Sequence, residues 1–228
     1  MEYPRFRPVA DRAVQVDFAE SLSDAAHAAV LRLDRAIAQA PPAGVTETVP
    51  AYVNLLVVFD PLVTDHAAVT AALQARLSAP DSGTGEGRSH VVDVCYDGDL
   101  ARDLPEVAAR TGLAPEDVIA AHLQGDYRVY LYGFAPGYAY LAGVLEAIRL
   151  PRKPAPVRNI PAGSVIIAGP QCIVTTLTMP TGWWVIGRSP ARILTGDADR
   201  PVLFDVGDRI RFRRIGRAAF DATARGAP

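Results

Sequence analysis

The stretch His90-Val-Val-Asp-Val-Cys-Tyr96 decides how the first part of the chain is read. Val92, Val94 and Tyr96 recur at every second position, the period of a half-buried β-strand. Upstream of it lie five further elements. Ala13–Phe18 alternates Val14, Val16 and Phe18 and reads as a strand. Ser23 caps a helix to about Gln39, in which Val30, Leu33 and Ile37 form one apolar stripe. Pro41-Pro42 and Gly44 stop it. Val45–Val49 and Tyr52–Phe59 are strand candidates separated by Pro50. Thr64 is read as the cap of a second helix carrying Val69, Leu73 and Leu77. Ser78–Ser89 has almost no apolar side chain and reads as a flexible loop.

With His90–Tyr96 as the sixth element the order is β-α-β-β-α-β, the split arrangement of ferredoxin-like domains. This places a domain boundary near Asp97, giving an α+β domain over 1–97 and a second domain over 98–228. In the second, Asp103-Leu-Pro-Glu106 reads as a capping box, and another helix runs from Pro115 to about Leu123. Short apolar strands separated by Gly and Pro then follow, at Tyr127–Gly133, Ser164–Ala168, Trp183–Gly187, Arg192–Leu194, Val202–Phe204 and Arg209–Ile215. That pattern points to a β-barrel or sandwich. Residues after Ala218 read as a frayed tail.

Composition removes several function classes. A formal net charge of -2 supplies no field to attract nucleic acid or an anionic membrane. The two cysteines, Cys95 and Cys172, form no CxxC pair, so no structural metal site is expected. No apolar run is long enough for a membrane span, and Met1–Pro8 lacks the apolar core of a signal peptide. A cytoplasmic protein is expected. Walker-type, zincin and nucleophile-elbow motifs are absent from the sequence. Lys153 is the only lysine, so chemistry needing a lysine amine must use it.

Candidate chemistry gathers in the second half. Gly133-Phe-Ala-Pro-Gly-Tyr-Ala-Tyr-Leu141 combines two glycines, Pro136, Phe134, Tyr138 and Tyr140. It reads either as a ligand loop offering backbone N–H groups and hydroxyls, or as a rigid turn packed with aromatics. Arg152 and Arg188, beside prolines and glycines, suit bidentate capture of a carboxylate or phosphate, or else a structural ion pair. Ser164 and Gln171 can orient an amide or carboxylate. His122 reads as a general acid or base, or as a helix-terminal histidine bonded to backbone. The alternating Arg209–Arg214 run reads as a strand with one solvated face.

Four clusters together carry a family resemblance. They are Gly133–Leu141, Leu150-Pro-Arg152, Ile160-Pro-Ala-Gly-Ser-Val165 with Gln171, and Gly182-Trp183 with Ile186-Gly-Arg-Ser-Pro190. The chain resembles the family that holds the B subunit of 5-oxoprolinase, allophanate hydrolase subunit 1 and a sporulation-kinase inhibitor. The resemblance implies a cyclophilin-like β-barrel after the N-terminal domain and a homologous second subunit as partner. It also implies ATP used by a partner rather than a cofactor bound by this chain, and a small-molecule amide or lactam as substrate. In the resemblance the site is catalytic His122, Arg152 and Arg188. Its substrate-binding residues are Gly133, Phe134, Pro136, Gly137, Tyr138, Tyr140, Ser164, Gln171 and Trp183. The chain departs from the family pattern at Ile166, across Cys172–Thr176 and at Thr181, which marks a divergent member. Lys153 occupies a position the pattern does not fix. The alternatives are a non-catalytic kinase regulator and a stand-alone enzyme acting on a specialised metabolite in an apolar pocket.

Overall fold

The computed structural model describes residues 2–77 and 87–226. The chain divides into two compact units, Met1–Gly85 and Glu86–Pro228. The first contains β1 (Arg5–Val9), β2 (Ala13–Asp17), α1 (Asp24–Gln39), β3 (Val45–Pro50), β4 (Asn54–Phe59) and α2 (His66–Leu77). Its four strands form an antiparallel sheet in the order β1-β2-β4-β3. Alternation along β2 and β4 turns Val14, Val16, Leu55, Val57 and Phe59 to one face. There they meet Val30, Leu33 and Ile37 of α1 and Val69 and Leu73 of α2, the stripes read from the sequence. Ser23 caps α1 as expected, its side chain accepting from the Ala26 N–H at 3.1 Å. The cap of α2 is Asp65 rather than Thr64; its carboxylate accepts from Ala68 N–H at 2.8 Å.

The fourth strand of this sheet is β1, which precedes the strand read first from the sequence and joins β2 by a tight turn at Ala10. The first unit is therefore ββαββα, not βαββαβ. The sixth element belongs elsewhere. β5 (Ser89–Val94) opens the second unit and pairs in parallel with β13 (Arg209–Arg214). Val92, Val94 and Tyr96 enter the second unit's core, so the division falls before β5 and not near Asp97. Two-residue alternation reports a buried face without saying which sheet owns it. The Ser78–Ser89 loop lies mostly outside the described residues.

Between β5 and β13 come α3 (Leu104–Thr111), α4 (Pro115–Gln124), β6 (Tyr127–Tyr132), β7 (Ala139–Ala142), β8 (Val157–Ile160), β9 (Ser164–Ala168), β10 (Gln171–Val174), β11 (Met179–Thr181) and β12 (Trp184–Arg188). Seven strands form one sheet in the order β12-β9-β10-β7-β6-β13-β5. Its two ends meet at a single bridge, where Cys95 and Arg188 exchange backbone hydrogen bonds of 2.8 and 2.9 Å. The sheet is thereby nearly closed as a barrel. β8 and β11 form a separate two-stranded ribbon.

Three expectations for this unit are corrected. Asp103 precedes α3 but makes no capping hydrogen bond with its side chain. Its carboxylate instead accepts from Val185 N–H at 2.8 Å and from Lys153 Nζ at 2.5 Å, while Glu106 pairs with Arg110. The tail after Ala218 is part of α5 (Arg217–Gly226), held by Phe220, which is buried beside Cys95 and Leu100. Arg192–Leu194 and Val202–Phe204 reduce to one bridge, Leu194 to Val202.

Candidate functional site

The barrel wall has two buried faces, and the alternation of its strands sorts residues between them. Ala139, Leu141, Val165, Ile167, Cys172, Val174, Trp184 and Ile186 point into the barrel core. Their neighbours Tyr138, Ile166, Ile173, Trp183 and Val185 point outward into a second apolar cluster, against Ile160 of the ribbon. This is why β9 reads as an unbroken apolar run: both of its faces are covered.

On this outer face is a cavity of about 290 Å³. Phe134, Tyr138, Tyr140 and Trp183 supply aromatic wall, and Ile166 and Ile173 a branched aliphatic one. Tyr140 meets Trp183 edge-on at 5.9 Å, and Phe134 lies 5.7 Å from Tyr138. Arg152 places its guanidinium 5.4 Å from the Trp183 ring centre. No ion pair engages Arg152 among the described residues. Lys153 also lines the cavity, but its charge is matched by Asp103, with side chains only 10% and 13% exposed. Tyr138 is 3% exposed, and among the described residues its hydroxyl has no protein partner. Burial, with Tyr140 adding to it, pushes its pKa up to about 12, so at neutral pH it is a donor.

Five expected site residues, Phe134, Tyr138, Tyr140, Arg152 and Trp183, thus come together. Pro136 and Gly137 shape the loop between them: Pro136 carbonyl accepts from Thr176 Oγ1 at 2.6 Å. Gly137 holds φ +71°, and a Cβ there would sit 2.8 Å from Leu194. Gly133 closes the loop base, its N–H donating to Tyr138 carbonyl.

The remaining expected residues lie elsewhere. Arg188 lines a different cavity with Thr175, Ser189 and Phe220, and its Nε donates to Ala162 carbonyl at 3.1 Å. Ser164 is 1% exposed and donates to Pro161 carbonyl at 2.8 Å, a turn-holding role. Gln171 opens β10 opposite Ala168 and Ala142 and does not line the aromatic cavity.

His122 is the main correction. It is 0% exposed in the barrel core, stacked 4.5 Å from Phe212. Nδ1 shares a 2.7 Å hydrogen bond with Tyr96 Oη, and Nε2 lies 3.6 Å from Cys172 Sγ. Burial pushes its pKa down to about 3, so it is a neutral core residue, not an acid or base facing substrate.

Sequence reasoning read Asp103 only as a helix cap and Lys153 as a position the pattern does not fix, and it assigned no site role to Pro156 or Pro180. It did flag Ile166, Cys172–Thr176 and Thr181 as departures from the family pattern. Three of the altered positions, Ile166, Ile173 and Thr181, line this one cavity. Among the described residues no cluster of His, Cys, Asp or Glu is fit to hold a metal, and no helix is long and apolar enough to cross a membrane.

The chain is 34% identical over 223 residues to the B subunit of 5-oxoprolinase from Bacillus subtilis (strain 168), covering 93% of each chain. It is 31% identical over 215 residues to the B subunit of 5-oxoprolinase from Escherichia coli O157:H7, covering 93% of this chain and 96% of that one. A crystal structure of TTHA0988 matches with a TM-score of 0.80 and 38% identity over 90% of this chain. This chain spans only 40% of that longer one. The Kluyveromyces lactis urea carboxylase shares the fold at a TM-score of 0.74 and 15% identity, over 95% of this chain and 22% of that one. A family model for the carboxyltransferase domain, subdomain C and D, matches residues 4–204, and the chain belongs to that family.

Proposed function

We propose that the chain is a subunit of an ATP-dependent, 5-oxoprolinase-like or allophanate-hydrolase-like assembly that hydrolyses an amide or lactam. In this reading the cavity under the β8–β11 ribbon is its share of an active site completed by a homologous second subunit. The observation that carries the reading is the convergence of Phe134, Tyr138, Tyr140, Arg152 and Trp183 from separate segments on one cavity. The relatives named as the B subunit of 5-oxoprolinase, matched over nearly their whole length, support it. ATP would be used in a partner, and the second unit would be a cyclophilin-like barrel.

The cavity's chemistry suits positioning rather than proton transfer. Arg152 offers two parallel N–H donors to a carboxylate, and stacking on Trp183 limits its motion. Tyr138 offers one hydroxyl donor to a carbonyl or carboxylate oxygen. Holding the reacting amide against groups from a partner is worth several kcal/mol of barrier when orientation is tight. With His122 in the barrel core, the proton-transfer groups of the reaction would come from the partner.

The test is co-expression with the homologous subunit and the ATP-using component. A stable complex whose ATP hydrolysis rises with an amide or lactam acid, and falls at least tenfold in Arg152→Gln, is the expected result. No complex, or full turnover in Arg152→Gln, would refute it.

A further inference from the structure

Taking the aromatic cavity as the ligand site of the proposed function, we infer that its ligand is a carboxylate carrying a compact apolar or aromatic body. Three observations lead there. The cavity's inner wall is Ile166 and Ile173, both at most 2% exposed, which offer no hydrogen bond to a polar ring. A polar group pressed against them would lose its water without replacement. The aromatic wall of Tyr138, Tyr140 and Trp183 suits a flat or branched apolar group, which gains dispersion and ring contacts.

Charge supplies the second half. Two cations line the cavity, but Asp103 neutralises Lys153 and leaves Arg152 as the unmatched one. The site therefore carries a single positive charge and favours a monoanion over a dianion or a neutral molecule. The third observation is Tyr138, whose ring is packed in the wall while its hydroxyl has no protein partner among the described residues and is not itself sealed off. A hydroxyl open to an otherwise apolar cavity can donate to an acceptor on the ligand. At about 290 Å³ the space lies at the small end of ligand pockets, enough for one ring or a short branched chain with its carboxylate.

The experiment is titration of the full chain with three probes, followed by Trp fluorescence and calorimetry: phenylacetate, its neutral isostere phenylacetamide, and the polar ring acid 5-oxoproline. Phenylacetate is expected to bind at least about tenfold more tightly than either of the others. Arg152→Gln should abolish the preference of acid over amide. Tyr138→Phe should weaken phenylacetate about threefold to tenfold, with circular dichroism confirming that both variants are folded. Equal binding of acid and amide would overturn the inferred charge preference. Tighter binding of 5-oxoproline would overturn the apolar ligand class while leaving the cavity as the ligand site. Binding of none of the three would overturn both.

Discussion

Protonation of His122 offers a direct check on its placement in the barrel core. In the folded protein burial holds its pKa near 3, whereas an unfolded histidine titrates near 6.5. The folded state thus binds fewer protons than the unfolded state between these values. Stability is fully present above the unfolded pKa and falls as pH drops below it, by about 1.4 kcal/mol per pH unit. From pH 7 to 4.5 the loss from this one residue is about 2.6 kcal/mol. The assay is urea unfolding followed by tryptophan fluorescence at half-unit pH steps, comparing the wild type with His122→Gln. The wild-type curve should carry this slope above pH 4.5, and the variant should lose it whatever its absolute stability. Parallel curves for the two proteins would refute the buried, neutral assignment, as would an imidazole signal from His122 that titrates near pH 6.

Two further outcomes follow from the packing. Lys153→Met and Asp103→Asn should each cost about 2–3 kcal/mol, below the range for fully buried pairs because a tenth of each side chain is wet, and the double variant should show a coupling of about 1.5 kcal/mol in denaturant titrations; additive losses would mean the pair contributes nothing. Gly137→Ala should cost about 1–2 kcal/mol, since the residue holds φ +71° and the new methyl would meet Leu194 and Thr176, and an unchanged melting temperature would contradict that loop geometry.

The apolar stripes and the candidate loop were legible in the sequence because each depends on near neighbours. Val30, Leu33 and Ile37 face a core wherever α1 goes. His122 illustrates a signal that was present and outweighed. It lies four residues after Val118 and three after Ile119, on the buried stripe of α4. Residue chemistry drew it toward the site, while helical spacing placed it in the core. Arg152 and Arg188 look alike in sequence, each near a proline in a short polar stretch. Arg152 lies in the segment before β8 and Arg188 ends β12, and the strand pairing that sets them at separate cavities is not a local property. The same holds for β5, whose alternation is plain but whose partner lies 120 residues away. Asp103 was read as a helix cap from its neighbours, and its ties to Lys153 and Val185 cross to segments far along the chain.

The pairing of β5 with β13 has a consequence for synthesis. The first unit has its whole sheet and both helices by Leu77, so it can fold while the ribosome is still working. β5 emerges next and then waits, because β13 is made 120 residues later. Until Arg209–Arg214 leaves the ribosome, β5 and β6 both present unpaired edges, and exposed edges are where nascent chains aggregate. Arg209, Arg211 and Arg213 alternate with buried Ile210 and Phe212 along the closing strand, so it arrives carrying charge on its outer side. The barrel is thus the late and vulnerable half of the molecule, and its last-made strand is the one that makes it safe.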